Sequence, residues 1–206
     1  MFIRYLWLDP RLFFSALLIV VFSISCHEFM HAFVALKMGD DTAARRGHLT
    51  LNPFKQMGWL SLVMLLFLGI AWGQVPVTPA NFRSRSGRVL TSLAGPLTNL
   101  ALWLLFTVGA FVCFKAEASE FAVEMLTYGA VMNLVLCVFN LLPVPGLDGF
   151  SVIGELFPEL LRSDSEAVKG AFFILVVLVF VFIDKLFELA RVATACVLLL
   201  LDEVLK

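Results

Sequence analysis

The chain reads as long apolar blocks separated by short polar stretches. The first block, Leu12 to Leu36, runs for 25 residues without proline or glycine. As a helix rising about 1.5 Å per residue, it is long enough to cross a hydrocarbon core of roughly 30 Å. Val89 to Phe114 and Phe121 to Leu142 have the same spanning length, whereas Gly58 to Gly73 is apolar over only 16 residues. A break at Pro143 to Gly149 and a polar stretch through Lys169 precede two further apolar runs, Gly170 to Ile183 and Leu186 to Leu201. Asp184 and Lys185 divide these two, which predicts tilted helices or a hairpin. The stretches after Met38 and after Gln74 are rich in Gly, Pro, Asn and Thr, as turns and short strands are. The pattern predicts an all-α polytopic membrane protein with about 4–6 membrane helices and a re-entrant or short β-strand segment around residues 48–82.

Composition sharpens this reading. Hydrophobic residues make up 61% of the chain and charged residues 15%, with a mean hydropathy of +0.95, outside the balance of a soluble domain. The 206 residues form one expected domain, 1–206, with its core over 12–155 and C-terminal helices over 170–202. The basic start followed by an apolar run is not read as a signal peptide. The run is long enough to span and carries two histidines and a glutamate where small residues would mark a cleavage site. A net charge of −1 and no long Lys/Arg run exclude a nucleic-acid footprint. The expected partners are the lipid bilayer and membrane-embedded polypeptide. Cys26, Cys113, Cys137 and Cys196 lie in apolar blocks without CxxC spacing, so they read as small buried hydrophobes rather than as disulfide or zinc ligands.

Inside the first apolar block stands His27-Glu28-Phe29-Met30-His31, an HExxH pattern. Residues four apart share a helix face, so both imidazoles reach one Zn²⁺ and the adjacent Glu holds a metal-bound water as general base. The ordinary alternative is a polar cluster joining helices. Against it stands the insertion penalty of ionisable groups at mid-membrane, roughly 2.5 to 3.5 kcal/mol for an Asp or Lys, which metal ligation offsets for the histidines. Two histidines and a water leave one protein ligand to find. Asp148 is the best candidate, with Asp40, Asp41 and Glu155 behind it. It lies in Asn140-Leu-Leu-Pro-Val-Pro-Gly-Leu-Asp148-Gly149, where prolines end a helix and keep the next backbone irregular. A plain turn with Asp before Gly is the ordinary reading of that stretch taken alone.

With HExxH in the first long helix, Leu93-Ala-Gly-Pro-Leu-Thr-Asn99 in the next, and the Asn140 to Gly149 stretch after it, the chain resembles the site-2 protease family of intramembrane zinc metalloproteases. Leu49 to Pro53 and Val75 to Phe82 also resemble connecting segments of its short bacterial members, so the resemblance covers about residues 20 to 155. It implies one Zn²⁺ per chain held by His27, His31 and Asp148, Glu28 as catalytic base, transmembrane protein substrates and a bacterial inner-membrane location.

Depth and charge give an expected topology. His27 lies about 22 Å into its helix, near the far surface of a roughly 30 Å core. Asp148 reaches that surface only if Gly58 to Gly73 re-enters and returns. That topology places Lys37, Arg45, Arg46, Lys55, Arg83, Arg85, Arg88, Arg162, Lys169 and Lys206 on one side, against Arg4, Arg11, Lys115 and Lys185 on the other. The positive-inside rule then makes the active-site side cytoplasmic. Asn140 is the first choice for an oxyanion donor, with Asn99 and Asn133 as competitors, each with an interhelical hydrogen bond as its ordinary alternative. Ala94 and Gly95 read as helix-packing residues. The alternating run His48 to Asn52 could offer a strand edge to an unwound substrate, with His48 itself a surface residue. The rival reading is a non-proteolytic membrane metal-binding protein or carrier. It is disfavoured because the other apolar helices have almost no acidic or His residues to form a path.

Overall fold

A computed structural model describes residues 1–159 and 166–205. Arg162 and Lys206, counted in the expected charge balance, lie outside these. The chain divides into two compact units, Met1–Asn99 and Leu100–Lys206. The boundary falls inside a helix, not in a linker.

In the first unit, α1 spans Pro10–Lys37. Asp9 caps it by accepting from the Leu12 amide at 3.0 Å, and Pro10 occupies the first turn, where a missing N–H is harmless. Away from its charged ends, the polar residues of α1 are inside: Ser23, Ser25, His27, Glu28 and His31 are all buried, while Phe14, Leu18 and Phe22 are exposed. A helix that hides its polar groups and shows its apolar ones is built for lipid.

The short block forms α2, Gly58–Leu68. Gly69 ends it at φ 77°, a left-handed cap that glycine adopts without Cβ strain. The chain then turns back. Trp72 donates its amide to the Ser61 hydroxyl at 2.9 Å and its carbonyl accepts from that hydroxyl at 2.6 Å, while the Gln74 amide reaches the Gln56 carbonyl at 3.0 Å. An 11-residue helix of about 16 Å and an extended return arm therefore form a hairpin.

Among the described residues there is no β-strand. The run His48 to Asn52 is instead a turn, because the Gln56 amide donates to the carbonyls of His48 at 2.9 Å and Thr50 at 2.5 Å. Asn52 caps the following Pro53–Gln56 helical turn through the Phe54 amide at 2.9 Å.

α3 spans Arg85–Lys115 and carries Pro96 inside it. In the second unit its end is joined by α4 (Glu120–Asn140), α5 (Asp148–Leu156) and α6 (Glu166–Val204). α1, α3 and α4 are each long and apolar enough to cross a membrane. Val131 and Val135 of α4 pack on Ala190 of α6, with Leu134, Leu186 and Phe187 around them. The Trp103 indole N–H donates to the Thr194 hydroxyl at 3.0 Å, and Lys115 pairs with Asp202 at 2.5 Å. The expected division at Asp184 and Lys185 is absent, and α6 is one helix of 39 residues. Both charges are exposed on it and Lys185 pairs with Glu188 at 2.7 Å. With no Gly or Pro between the two runs, nothing breaks the helix.

Candidate metal centre

The helical period of α1 places His27 and His31 on one face, with Nε2 of one 3.0 Å from Nε2 of the other. Their outer nitrogens are held by α3. His27 Nδ1 lies 2.5 Å from the Asn99 side-chain oxygen, and His31 Nδ1 lies 2.6 Å from the Thr91 carbonyl. Both partners are acceptors, so each Nδ1 carries the proton and donates. The two Nε2 lone pairs therefore face one another in a buried site, an arrangement that a cation between them stabilises.

The surroundings fit such a cation. A tetrahedral centre with bonds of about 2.0–2.1 Å would separate two nitrogens by about 3.3 Å, close to the spacing present. A Cβ on Gly95 would overlap Nε2 of both histidines, so the absent side chain leaves the space that a metal requires. Gly95 thus does more than the helix packing expected of it. Asn99 makes an interhelical hydrogen bond, the ordinary alternative weighed for it beside the oxyanion role, and its partner is His27. This is the outer-shell acceptor that metal-bound imidazoles need.

Glu28 sits next to His27 and is 7% exposed, as buried as the two imidazoles at 6% and 7%. The return arm of the hairpin covers it, since a Cβ on Gly73 would overlap its carboxyl group. Sequence reasoning gave Gly73 only the part of a terminal glycine that lets the short segment turn back, and a glycine in an apolar run carries no signal that distinguishes a cover from a turn.

Asp148 and Asn140 belong to the second unit. α4 ends at Asn140 and α5 begins at Asp148, with Gly146 between them at φ 94°. A Cβ on Gly149 would overlap the Leu141 carbonyl, so the loop closes tightly on the end of α4. Asp148 is half-buried in the first turn of α5. Asn140 donates one amide hydrogen to the Leu136 carbonyl at 2.9 Å, and Asn133 likewise to the Gly129 carbonyl at 2.8 Å.

The other residues considered are engaged elsewhere. His48 is half-buried, with Nδ1 3.4 Å from the Gln56 side-chain oxygen. Asp41 pairs with Arg45 at 2.6 Å. Asp40 is fully buried and hydrogen-bonded to Thr42, Thr78 and Asn81.

Comparison with known proteins gives a consistent result. The sequence model for Peptidase family M50 matches residues 107–183. The chain is 35% identical over 191 residues to "Putative zinc metalloprotease YwhC" of Bacillus subtilis, covering 86% of this chain and 85% of that one. It is 36% identical over 163 residues to "Putative zinc metalloprotease Rip2" of Mycobacterium tuberculosis, covering 76% of this chain and 62% of that longer protein. At 33% identity over 135 residues it is also similar to "Putative zinc metalloprotease MJ0611" of Methanocaldococcus jannaschii, covering 62% of each. No solved structure matches. With its apolar helices and paired imidazoles, this chain belongs to peptidase family M50, the site-2 protease family of membrane zinc metalloproteases.

Proposed function

We propose that the protein hydrolyses peptide bonds within transmembrane segments of other membrane proteins, with zinc held by His27, His31 and Asp148. The observation that carries this reading is the pair of Nε2 atoms 3.0 Å apart beside a buried Glu28, all on a helix long enough to span a bilayer. Three such polar groups in an apolar helix are expensive to insert unless they serve a site.

Zinc held there would supply Lewis-acid chemistry, making water acidic enough to be deprotonated near neutral pH and polarising a peptide carbonyl. Asn99 and Thr91 keep both imidazoles in the tautomer that presents Nε2. Glu28 accepts the proton that the attacking water loses and returns it to the leaving amine nitrogen. Gly73, lying on the Glu28 carboxyl, limits the bulk water that can reach it. Asn140 has a second amide hydrogen beyond the one given to Leu136, and this hydrogen is the donor for the oxyanion. Asp148 is drawn into the ligand set because two histidines and a water leave one position for a carboxylate. The tight closure at Gly149 fixes where that carboxylate starts.

The same reading places the protein in the bacterial inner membrane with its site toward the cytoplasm. The α2 hairpin supports this, because a returning segment keeps Arg83, Arg85 and Arg88 on the side of Arg45 and Arg46. Glu28→Gln tests the function. It should retain about one zinc per chain and lose cleavage of a single-span membrane protein that the wild type cuts. Cleavage at the wild-type rate would remove the protease assignment, and loss of zinc would make Glu28 a ligand instead of a base.

A further inference from the structure

Asp40 lies beyond the end of α1, outside the apolar block, yet it is fully buried. Its carboxylate accepts four hydrogen bonds. Two come from its own loop, the Thr42 hydroxyl at 2.5 Å and the Thr42 amide at 3.0 Å. Two come from the far end of the return arm, the Thr78 amide at 2.6 Å and the Asn81 side-chain amide at 3.0 Å. The Thr42 hydroxyl, its hydrogen given to Asp40, accepts from the Thr78 hydroxyl at 2.9 Å, and the Arg83 amide reaches the Met38 carbonyl at 3.1 Å. Hydrogen bonds to a carboxylate are about twice as strong as neutral ones, so Asp40 is the centre of this junction.

The junction differs from the other bonds of the arm. The Trp72 bonds to Ser61 lie within the hairpin and the Gln74 bond reaches Gln56 just before it, so they hold Gly73 relative to the start of α2. The bonds at Asp40, Thr42 and Met38 tie the returning arm to the end of α1, the helix that carries Glu28. The arm between these anchors contains Gly73, which lies against the Glu28 carboxyl.

We propose that Asp40 is a positioning residue for peptide hydrolysis: its carboxylate latches Thr78 and Asn81 to the end of α1 and so holds the arm on Glu28. The inference rests on the function proposed above. It separates the two halves of the site, because the imidazoles are held from α3 by Asn99 and Thr91 while Glu28 is covered from the arm. Releasing the latch therefore disturbs the base and its exclusion of water without disturbing the metal ligands.

The test uses the full chain in liposomes, comparing Asp40→Asn, Asp40→Ala and Asp40→Asn combined with Asn81→Asp. Asp40→Asn turns an N–H₂ group toward a backbone or side-chain donor and so breaks part of the junction. Hydrogen exchange of the 72–81 peptide should quicken by about tenfold while peptides of α1 keep their protection. The kcat for a single-span membrane protein that the wild type cuts should fall at least about tenfold, with KM and zinc content unchanged. The double variant restores a carboxylate–amide pair in reversed order and should recover part of both effects. Unchanged exchange, an unchanged or raised kcat, loss of zinc, or a double variant worse than the single would each overturn the latch. Glu28→Gln run alongside separates the two ideas: if it cleaves like the wild type the function reading fails, and the exchange result still decides whether Asp40 holds the arm.

Discussion

The Asn99 side-chain oxygen lies 2.5 Å from His27 Nδ1, and this bond decides which ring nitrogen of His27 can meet a metal. An acceptor at Nδ1 fixes the proton there and leaves Nε2 unprotonated. Asn99→Leu removes the acceptor and should weaken zinc binding by about 10- to 100-fold. Asn99→Asp keeps an oxygen at the same place and should bind zinc close to the wild-type level. Competition against a calibrated chelator measures both. Equal affinity for the Leu variant would mean that Asn99 does not orient the ring.

Gly95 and Gly73 make opposite demands on the two halves of the site. Gly95→Ala puts a methyl group where both Nε2 atoms point, and purified protein should lose its zinc. Gly73→Ala presses on the Glu28 carboxyl and should keep zinc while kcat falls by roughly 100-fold, the scale of a misplaced general base. Metal analysis with single-turnover cleavage on the same samples distinguishes them. Zinc retained in Gly95→Ala would show that the metal does not occupy the space beside that glycine.

The contrast between these residues shows what a sequence makes legible. HExxH could be read because its spacing matches the helical period and its polarity contradicts the apolar block around it. Gly95 could not, since its function depends on which face of α3 meets the imidazoles, and that is a tertiary fact. Asn99 stood out as a polar group in an apolar helix, but its partner did not, so it was grouped with the oxyanion candidates. Local chemistry also overrode pattern. The alternation of His48 to Asn52 suggests a strand, yet one side-chain amide from Gln56 captures two of its carbonyls and bends it. At the other end, Asp184 and Lys185 looked like a break, although charges that can stay exposed do not interrupt a helix.

The hairpin around α2 makes a prediction about topology. Arg83 donates its amide to the Met38 carbonyl at 3.1 Å, which brings the chain before α3 back to the chain after α1. Cysteines placed singly at Ala44 and Ser84 in a background lacking the native cysteines should therefore label from the same face of the membrane. A membrane-impermeant maleimide applied to intact cells and to inverted vesicles reads the side. Opposite labelling would mean that Gly58 to Gly73 crosses, and would overturn the expected topology.

Acid should act on the junction at Asp40. Burial by itself raises the Asp40 pKa, but the hydrogen bonds from the Thr42 hydroxyl, the Thr78 amide, the Asn81 side chain and the Thr42 amide outweigh it, so the carboxyl sits below its ordinary value of 3.8. A depressed pKa means that the folded state holds the proton less tightly than the unfolded chain. The stabilisation is therefore complete above the ordinary value and is lost as pH falls through it to the folded pKa. In zinc-stripped protein, the difference in Tm between the wild type and Asp40→Ala should be constant from pH 7 to about 5 and should shrink below about 4. A difference that grows on acidification would contradict the direction of the shift.

Asp148 is the third ligand in the function proposed above. Its carboxylate opens α5 directly after a loop that Gly149 closes against the Leu141 carbonyl, so the backbone on either side of it has little freedom. Asp148→Ala should lower zinc content well below one per chain, because two neutral imidazoles alone make a weak site and a carboxylate adds both a bond and a charge. Asp148→Asn keeps the shape and one oxygen but not the charge, and should bind zinc more weakly than the wild type and more tightly than Asp148→Ala. Asp148→Glu reaches about one methylene further and should retain metal while kcat falls, since the metal is shifted relative to Glu28. Element analysis of detergent-purified protein after passage over a chelating resin gives the order wild type, Glu, Asn, Ala. Undiminished zinc in Asp148→Ala would remove it from the ligand set. The third ligand would then be sought at Asp40, Asp41 or Glu155, the last about two turns along the same helix.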